Sequence, residues 1–288
     1  MPWWAWAWPA FAWIMLGAAL ARGVNAPFAA IMAVALIGAV FAAVHHAEVV
    51  AHRVGEPFGT LVLAVAVTVI EVGLIVSIML APGPSRAELA RDTVFAAVML
   101  ICNGIVGLCL LMGGLRHHEQ GFQLHGASAA FAVLVALATL SLVLPNFTVS
   151  TPGPTFTGAQ LEFAGVVSLV LYGTFVFVQT VRHRDYFLPP PGHAGEELHA
   201  PPPTAIATAT STMLLLAALG VVVLLAKALS PILETGIVRV GAPKSLVGIV
   251  IAAIVLLPEA LAALRAARAN LLQTSLNLAL GSALPASG

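Results

Sequence analysis

Two acidic side chains stand inside apolar runs, at matching places in two similar segments. Thr60–Glu71 reads TLVLAVAVTVIE and Gly248–Glu259 reads GIVIAAIVLLPE, with four of the twelve positions identical and Glu71 paired with Glu259. A carboxylate surrounded by hydrocarbon is costly and rare, so such an acid is read first as functional. Two of them in repeated segments point to one ion site built from two halves of a membrane transporter. The competing reading is chance likeness between two apolar runs.

Local chemistry favours the functional reading. Glu71 follows Pro57 by 14 residues, about 21 Å along a helix at 1.5 Å per residue, well inside a hydrocarbon core of about 30 Å. Thr68 lies one turn earlier on the same face. Glu259 directly follows Pro258, which removes a helix hydrogen bond and frees a carbonyl one turn back. Broken helices with freed carbonyls beside an acid make oxygen cages for cations. The bland alternative for Glu259 is a helix-end acid near the interface, paired with Arg265 or Arg268. Past it, Gln273, Asn277 and Gly281 recur at i, i+4 and i+8. They form one polar, close-packing stripe that either offers neutral oxygens or glues helices together. Past Glu71 stand Arg91-Asp92-Thr93 and Asn103-Gly104.

The histidines form a rival signal. His45, His46, Glu48 and His52 gather at one helix end, and His117, His118 and Glu119 at another. Clustered His and Glu hold transition metals in membrane oxidases, which makes a His-rich membrane metalloenzyme one rival reading. The spacing is loose, and both clusters sit beside loops. No Gly-rich phosphate loop, Ser–His pair or Cys-x-x-Cys occurs, so the chain is not expected to be an enzyme.

These residues must be positioned by membrane-spanning helices. Of 288 residues, 60% are hydrophobic and 8% charged, with mean hydropathy +1.02. A soluble domain carries about 25% charged residues, so this chain is expected to be an all-α integral membrane protein with the lipid bilayer as its partner. Its net charge of +0 leaves no basic face for nucleic acid. Cys102 and Cys109 share one apolar run and read as small core residues. No Lys or Arg precedes the first apolar run, so a cleavable secretory signal is not expected. Trp3, Trp4, Trp6, Trp8 and Trp13 read as an interfacial anchor. Nine candidate spans follow: 4–21, 27–47, 58–81, 93–115, 126–145, 160–181, 206–229, 245–264 and 271–284, the last one short. The longest polar break, Arg182–Pro203, is rich in His and Pro and separates six spans from three. Arg and Lys divide almost evenly between the two sides. The 146–158 loop, free of both, leans the N-terminus inward.

With those residues in place, the chain resembles the calcium/cation exchanger superfamily, above all its ChaA-type cation/proton antiporters. Ala47–Leu80 and Leu256–Leu284 resemble the two α-repeats of that family. Calcium/proton exchangers carry Gly-Asn-x-x-Glu in each repeat, and Glu71 and Glu259 fall on the two glutamates. Thr68 and Leu256 stand where the asparagines would be, as in ChaA-type members. Gly281-Ser282-Ala283 matches the Gly-Ser-Ala that follows the second repeat.

The resemblance implies an inverted-repeat exchanger fold. Its parts are a leading helix at 1–22, a first half at 23–181, a linker at 182–204 and an incomplete second half at 205–288. With about nine spans present, the last two expected helices are missing, as in a truncated product. The resemblance further implies that Glu71 and Glu259 face each other across a cation site, in the plasma membrane of a bacterium. Two carboxylates balance Ca²⁺, which takes six to eight oxygens; Thr68, Asn277, Ser282 and freed carbonyls would complete its shell. Ca²⁺ is the first choice, with Na⁺ or K⁺ as alternatives, each exchanged for protons, and no resident cofactor is expected. A non-transporting remnant or membrane subunit is the other rival reading.

Overall fold

A computed structural model of the chain describes residues 1–55, 58–79, 86–188, 203–243 and 245–287. Glu56 and Pro57, residues 80–85, Lys244, Gly288 and most of the His/Pro-rich linker, with Glu196 and Glu197, lie outside the described residues.

Every span read from sequence is helical. The helices are α1 (Trp3–Arg22), α2 (Ala26–Val54), α3 (Phe58–Met79), α4 (Arg86–Met99), α5 (Val106–His117), α6 (Leu124–Ala138), α7 (Gly158–Phe177), α8 (Ala205–Arg239), α9 (Ser245–Val255), α10 (Leu257–Arg268) and α11 (Leu272–Ser287). Segments of π-helix at Leu100–Ile105, Thr139–Val143 and Val178–Arg182 continue α4 into α5, extend α6 and extend α7. No strand occurs among the described residues.

Helix limits follow local chemistry. The Asn25 side chain accepts from the Phe28 N–H at 3.0 Å, with Pro27 in the first turn of α2, a strong start signal. Thr157 and Gln160 close a reciprocal capping box on α7. Gly23 and Gly55 stop α1 and α2 at φ +74°, a backbone angle that costs glycine nothing.

Among the described residues six helices are long and apolar enough to cross a bilayer, and the bent pair α9–α10 would make a seventh. The 22 residues of α3 reach about 33 Å at 1.5 Å per residue, also enough for a hydrocarbon core of about 30 Å. The chain is a multi-pass integral membrane protein. On α7 the large side chains Leu161, Phe163, Val166 and Leu169 are exposed, a face that suits lipid rather than water.

The helices fall into two compact units, each assembled from both sides of the polar break. The first comprises residues 1–96 and 199–258. Its centre is α2 against α8, with α1 laid over both and α3 packed on both. Ala35, Ala39, Ala43 and Ala47 are buried along α2, and small residues let membrane helices approach closely. The α1 tryptophans do more than anchor. The Trp8 ring fills the space where a side-chain carbon at Gly38 would stand, and Trp13 Nε1 donates to the Ala217 carbonyl at 3.1 Å. Trp3 and Trp6 stay exposed.

His46, fully buried, ties the same three helices together. Its Nε2 lies 3.0 Å from the Ala5 carbonyl on α1 and its Nδ1 3.3 Å from the Ser211 hydroxyl on α8. A carbonyl only accepts, so Nε2 carries the proton, and in the neutral ring Nδ1 accepts from Ser211.

The second unit comprises residues 97–198 and 259–288. Here α6 packs on α7 and α11, and α11 packs on α5. Its helices are tied by side-chain amides. Gln273, 1% exposed, accepts from the Gln123 N–H at 2.6 Å and donates to Asn277 Oδ1 at 2.9 Å. Asn277 in turn donates to the Phe187 carbonyl. Cys109 is buried and Cys102 half-buried, both as free thiols.

Candidate functional site

Glu71 is the fourteenth of the 22 residues of α3, which runs unbroken past it. The residue is 5% exposed, with Ile70 and Ala66 buried beside it. Two residues on, Gly73 faces α8 so closely that an added Cβ would lie 2.9 Å from Val223 Cγ2. Thr68, one turn before Glu71, is half-buried. This part of the first unit holds a carboxylate in the interior of an apolar helix.

Glu259 has a different setting. The chain bends by 56° between α9 and α10, and Glu259 is the third residue after the break, on the first turn of α10. Pro258 has no N–H to give to the Ile254 carbonyl, which locates the bend. The first turn of a helix carries unshared N–H groups and the positive end of the helix dipole, both favourable to a carboxylate. Glu259 Oε2 is buried and accepts no hydrogen bond among the described residues. Arg265 and Arg268 sit in the last turn of α10, and neither forms an ion pair with Glu259 among the described residues.

The other two residues picked from sequence lie on α11. The Asn277 amide is engaged at both ends, by Gln273 and by the Phe187 carbonyl. Ser282 is buried, and its hydroxyl donates to the Leu278 carbonyl of its own helix at 3.1 Å. The structure thus places Glu71 with Thr68 on α3, and Glu259, Asn277 and Ser282 on α10 and α11. Within the stripe, Gln273 and Asn277 bond to each other along α11 and reach the backbone at Gln123 and Phe187.

Next to this tie stands a polar contact that sequence reasoning passed over. Gln120 Nε2 donates to the Ala267 carbonyl at 2.9 Å and to Asn270 Oδ1 at 3.1 Å. A lone glutamine beside a loop gives no signal of a partner 147 residues away.

Two of the clustered histidines make structural contacts. His46 bridges three helices, and His117 Nε2 lies 2.9 Å from the Arg268 carbonyl. No three His, Cys, Asp or Glu side chains come together to hold a metal among the described residues.

Comparison with known proteins agrees with this architecture. The sodium/calcium exchanger protein family model matches residues 25–181. A putative ionic transporter, y4hA of Sinorhizobium fredii (strain NBRC 101917 / NGR234), is 48% identical over 295 aligned residues, covering 100% of this chain and 79% of the relative. The sodium-potassium/proton antiporter ChaA of Escherichia coli (strain K12) is 34% identical over 260, covering 88% of this chain and 70% of the antiporter. Among solved structures, an H⁺/Ca²⁺ exchanger CAX superposes with TM-score 0.68 at 16% identity, over 98% of this chain and 69% of that one. Native YfkE superposes with TM-score 0.65 at 15% identity, over 98% and 78%. At such identities the superpositions establish the exchanger fold, and none of these relatives is named as an enzyme.

Proposed function

Because this chain belongs to the sodium/calcium exchanger protein family, we propose that it is a secondary antiporter that exchanges a cation for protons, with Glu71 and Glu259 as the ion-binding carboxylates. One observation carries the reading: two acids matched by sequence repeat stand within membrane helices, Glu71 buried on α3 and Glu259 with a buried oxygen beside a helix break. The transported ions are cargo, and no resident cofactor is needed.

The physical argument is charge balance. Two carboxylates match the +2 of Ca²⁺, and neutral oxygens complete its shell. Thr68 and Ser282 offer hydroxyls, Asn277 its amide oxygen and Ile254 a carbonyl, each on exchanging its present partner for the ion. A site of two carboxylates emptied of metal cannot stay doubly charged in low dielectric, so protons take the place of the cation. Metal binding then releases protons at the same oxygens. Exchange follows when the site opens to the two faces in turn.

A second reading of the ion rests on the antiporter that is 34% identical and is named for sodium and potassium. Na⁺ or K⁺ fills the same oxygens while displacing fewer protons. Purified protein in liposomes with an entrapped pH dye separates the readings. CaCl₂, NaCl and KCl are added in turn, and the expected result is internal pH change driven by CaCl₂. Change driven by NaCl or KCl alone replaces Ca²⁺ by the monovalent ion. No pH change with any of the three removes the antiport reading.

A further inference from the structure

We propose that Gln120, with His117 beside it, is a positioning residue for the cation site: it caps the end of α10 from outside the helix and so fixes where Glu259 stands. The proposal rests on the reading of Glu259 as an ion ligand, and all the residues involved belong to the second unit.

The end of α10 is built in a particular way. Asn270 turns the chain at φ +63°, a left-handed angle that asparagine tolerates better than most residues. The Leu271 N–H closes back on the Ala266 carbonyl at 2.9 Å, and the Asn270 N–H on the Ala267 carbonyl at 3.2 Å. This pair of bonds is the Schellman stop. It leaves the Arg268 carbonyl for an outside donor. His117, the last residue of α5, supplies it at 2.9 Å. Three residues on, Gln120 donates to the Ala267 carbonyl and to the Asn270 side chain that shapes the turn. Three further on, the Gln123 N–H donates to Gln273 at the start of α11. The α5–α6 connector therefore grips the α10–α11 corner at regular intervals.

Two facts make the grip consequential. Ala263 and Ala267 seat one face of α10 in the interior, and the connector fixes the end of that same helix, so the grip sets where the helix rests. The connector is itself fixed. Gln120 lies against α5 where a side-chain carbon at Gly113 would overlap its Oε1, and that oxygen is buried with no hydrogen-bond partner among the described residues. From Arg268 back to Glu259 is about 14 Å of continuous helix. A stiff element of that length transmits a shift at its end to a carboxylate at its start.

The test uses the full chain in liposomes, with proton flux driven by CaCl₂, or by NaCl if CaCl₂ drives none. Gln120→Ala is expected to raise the apparent cation KM about tenfold, the low end for groups that orient a metal ligand, while Vmax stays within about twofold. Gly113→Ala, which pushes the Gln120 side chain out of place, should give the same shift. The double variant should be no worse than Gln120→Ala, since the space is then vacant. Gln120→Met, which keeps the volume and loses the donor, takes the place of Gln120→Ala if the latter does not elute as folded protein. An unchanged KM, or a fall in Vmax alone, overturns the proposal. Glu259→Gln in parallel separates the two layers. Wild-type flux in that variant removes the site assignment together with this inference, whereas lost flux with an unmoved KM in Gln120→Met removes the inference alone.

Discussion

The two acid-bearing segments match in sequence and differ in backbone. On α3 the chain runs straight past Glu71, and the carboxylate emerges from mid-helix among buried apolar neighbours. On the other side the chain bends by 56°, and Glu259 rides the first turn of a new helix. At the position aligned with Pro258 the first segment has Ile70, which keeps its N–H and completes the helix ladder. A repeated sequence therefore yields one acid in mid-helix and another at a helix start. The exchange of an isoleucine for a proline marks where the second segment breaks.

The largest test of that comparison removes the charges. Glu71→Gln and Glu259→Gln are each expected to abolish cation-driven proton flux in reconstituted liposomes. Loss in one variant and full flux in the other would make the site one-sided and end the idea of paired carboxylates. Next in size is the break itself. Pro258→Ala restores an N–H for the Ile254 carbonyl and favours a straight span. We expect cation-driven flux to fall about tenfold, the low end for losing what orients a metal ligand, with expression and elution unchanged. Flux at the wild-type level would show that the bend is incidental to the position of Glu259.

The smallest effect contrasts stability in the two units. A Cβ at Gly248 on α9 would lie 2.9 Å from the Thr93 backbone nitrogen, whereas one at Gly281 on α11 meets nothing within 4 Å. Gly248→Ala should destabilise by about 1–3 kcal/mol through overpacking. Gly281→Ala should be neutral or stabilising by about 0.5–1 kcal/mol, because alanine is the better helix former. Thermal melting in detergent compares them, and equal melting temperatures would refute the contrast.

Much of the fold was legible because hydrophobic length is a one-dimensional signal. All nine apolar runs are helical over their described residues. The burial of Glu71 was legible for the same reason, as an acid 14 residues past a proline has only hydrocarbon beside it. The bend at Pro258 was half legible: the lost hydrogen bond was read, yet the run was counted as one span, because proline fixes where a helix weakens and packing decides how far it turns. The π-helical stretches left no trace, since a register change of one backbone bond needs no special residue type. The grip of Gln120 on α10 and the tie from Asn277 to Phe187 were invisible, as each joins residues 90 or more positions apart. The stripe of Gln273, Asn277 and Gly281 was seen with two uses open, and Gln273 and Asn277 bond to each other and to the backbone at Gln123 and Phe187. Each compact unit draws on both sides of the polar break, a pairing that needs contacts between residues far apart in the chain.

The imidazole of His46 has one further meaning. It spends both nitrogens at once, one on the backbone of the first helix and one on a hydroxyl of the eighth. Deleting the opening twenty-odd residues would thus strand a polar ring in a dry interior and bare the groove at Gly38 that the Trp8 indole fills. The leading helix is a keystone of its bundle, and a shortened protein lacking it should reach the membrane as a looser, protease-sensitive body.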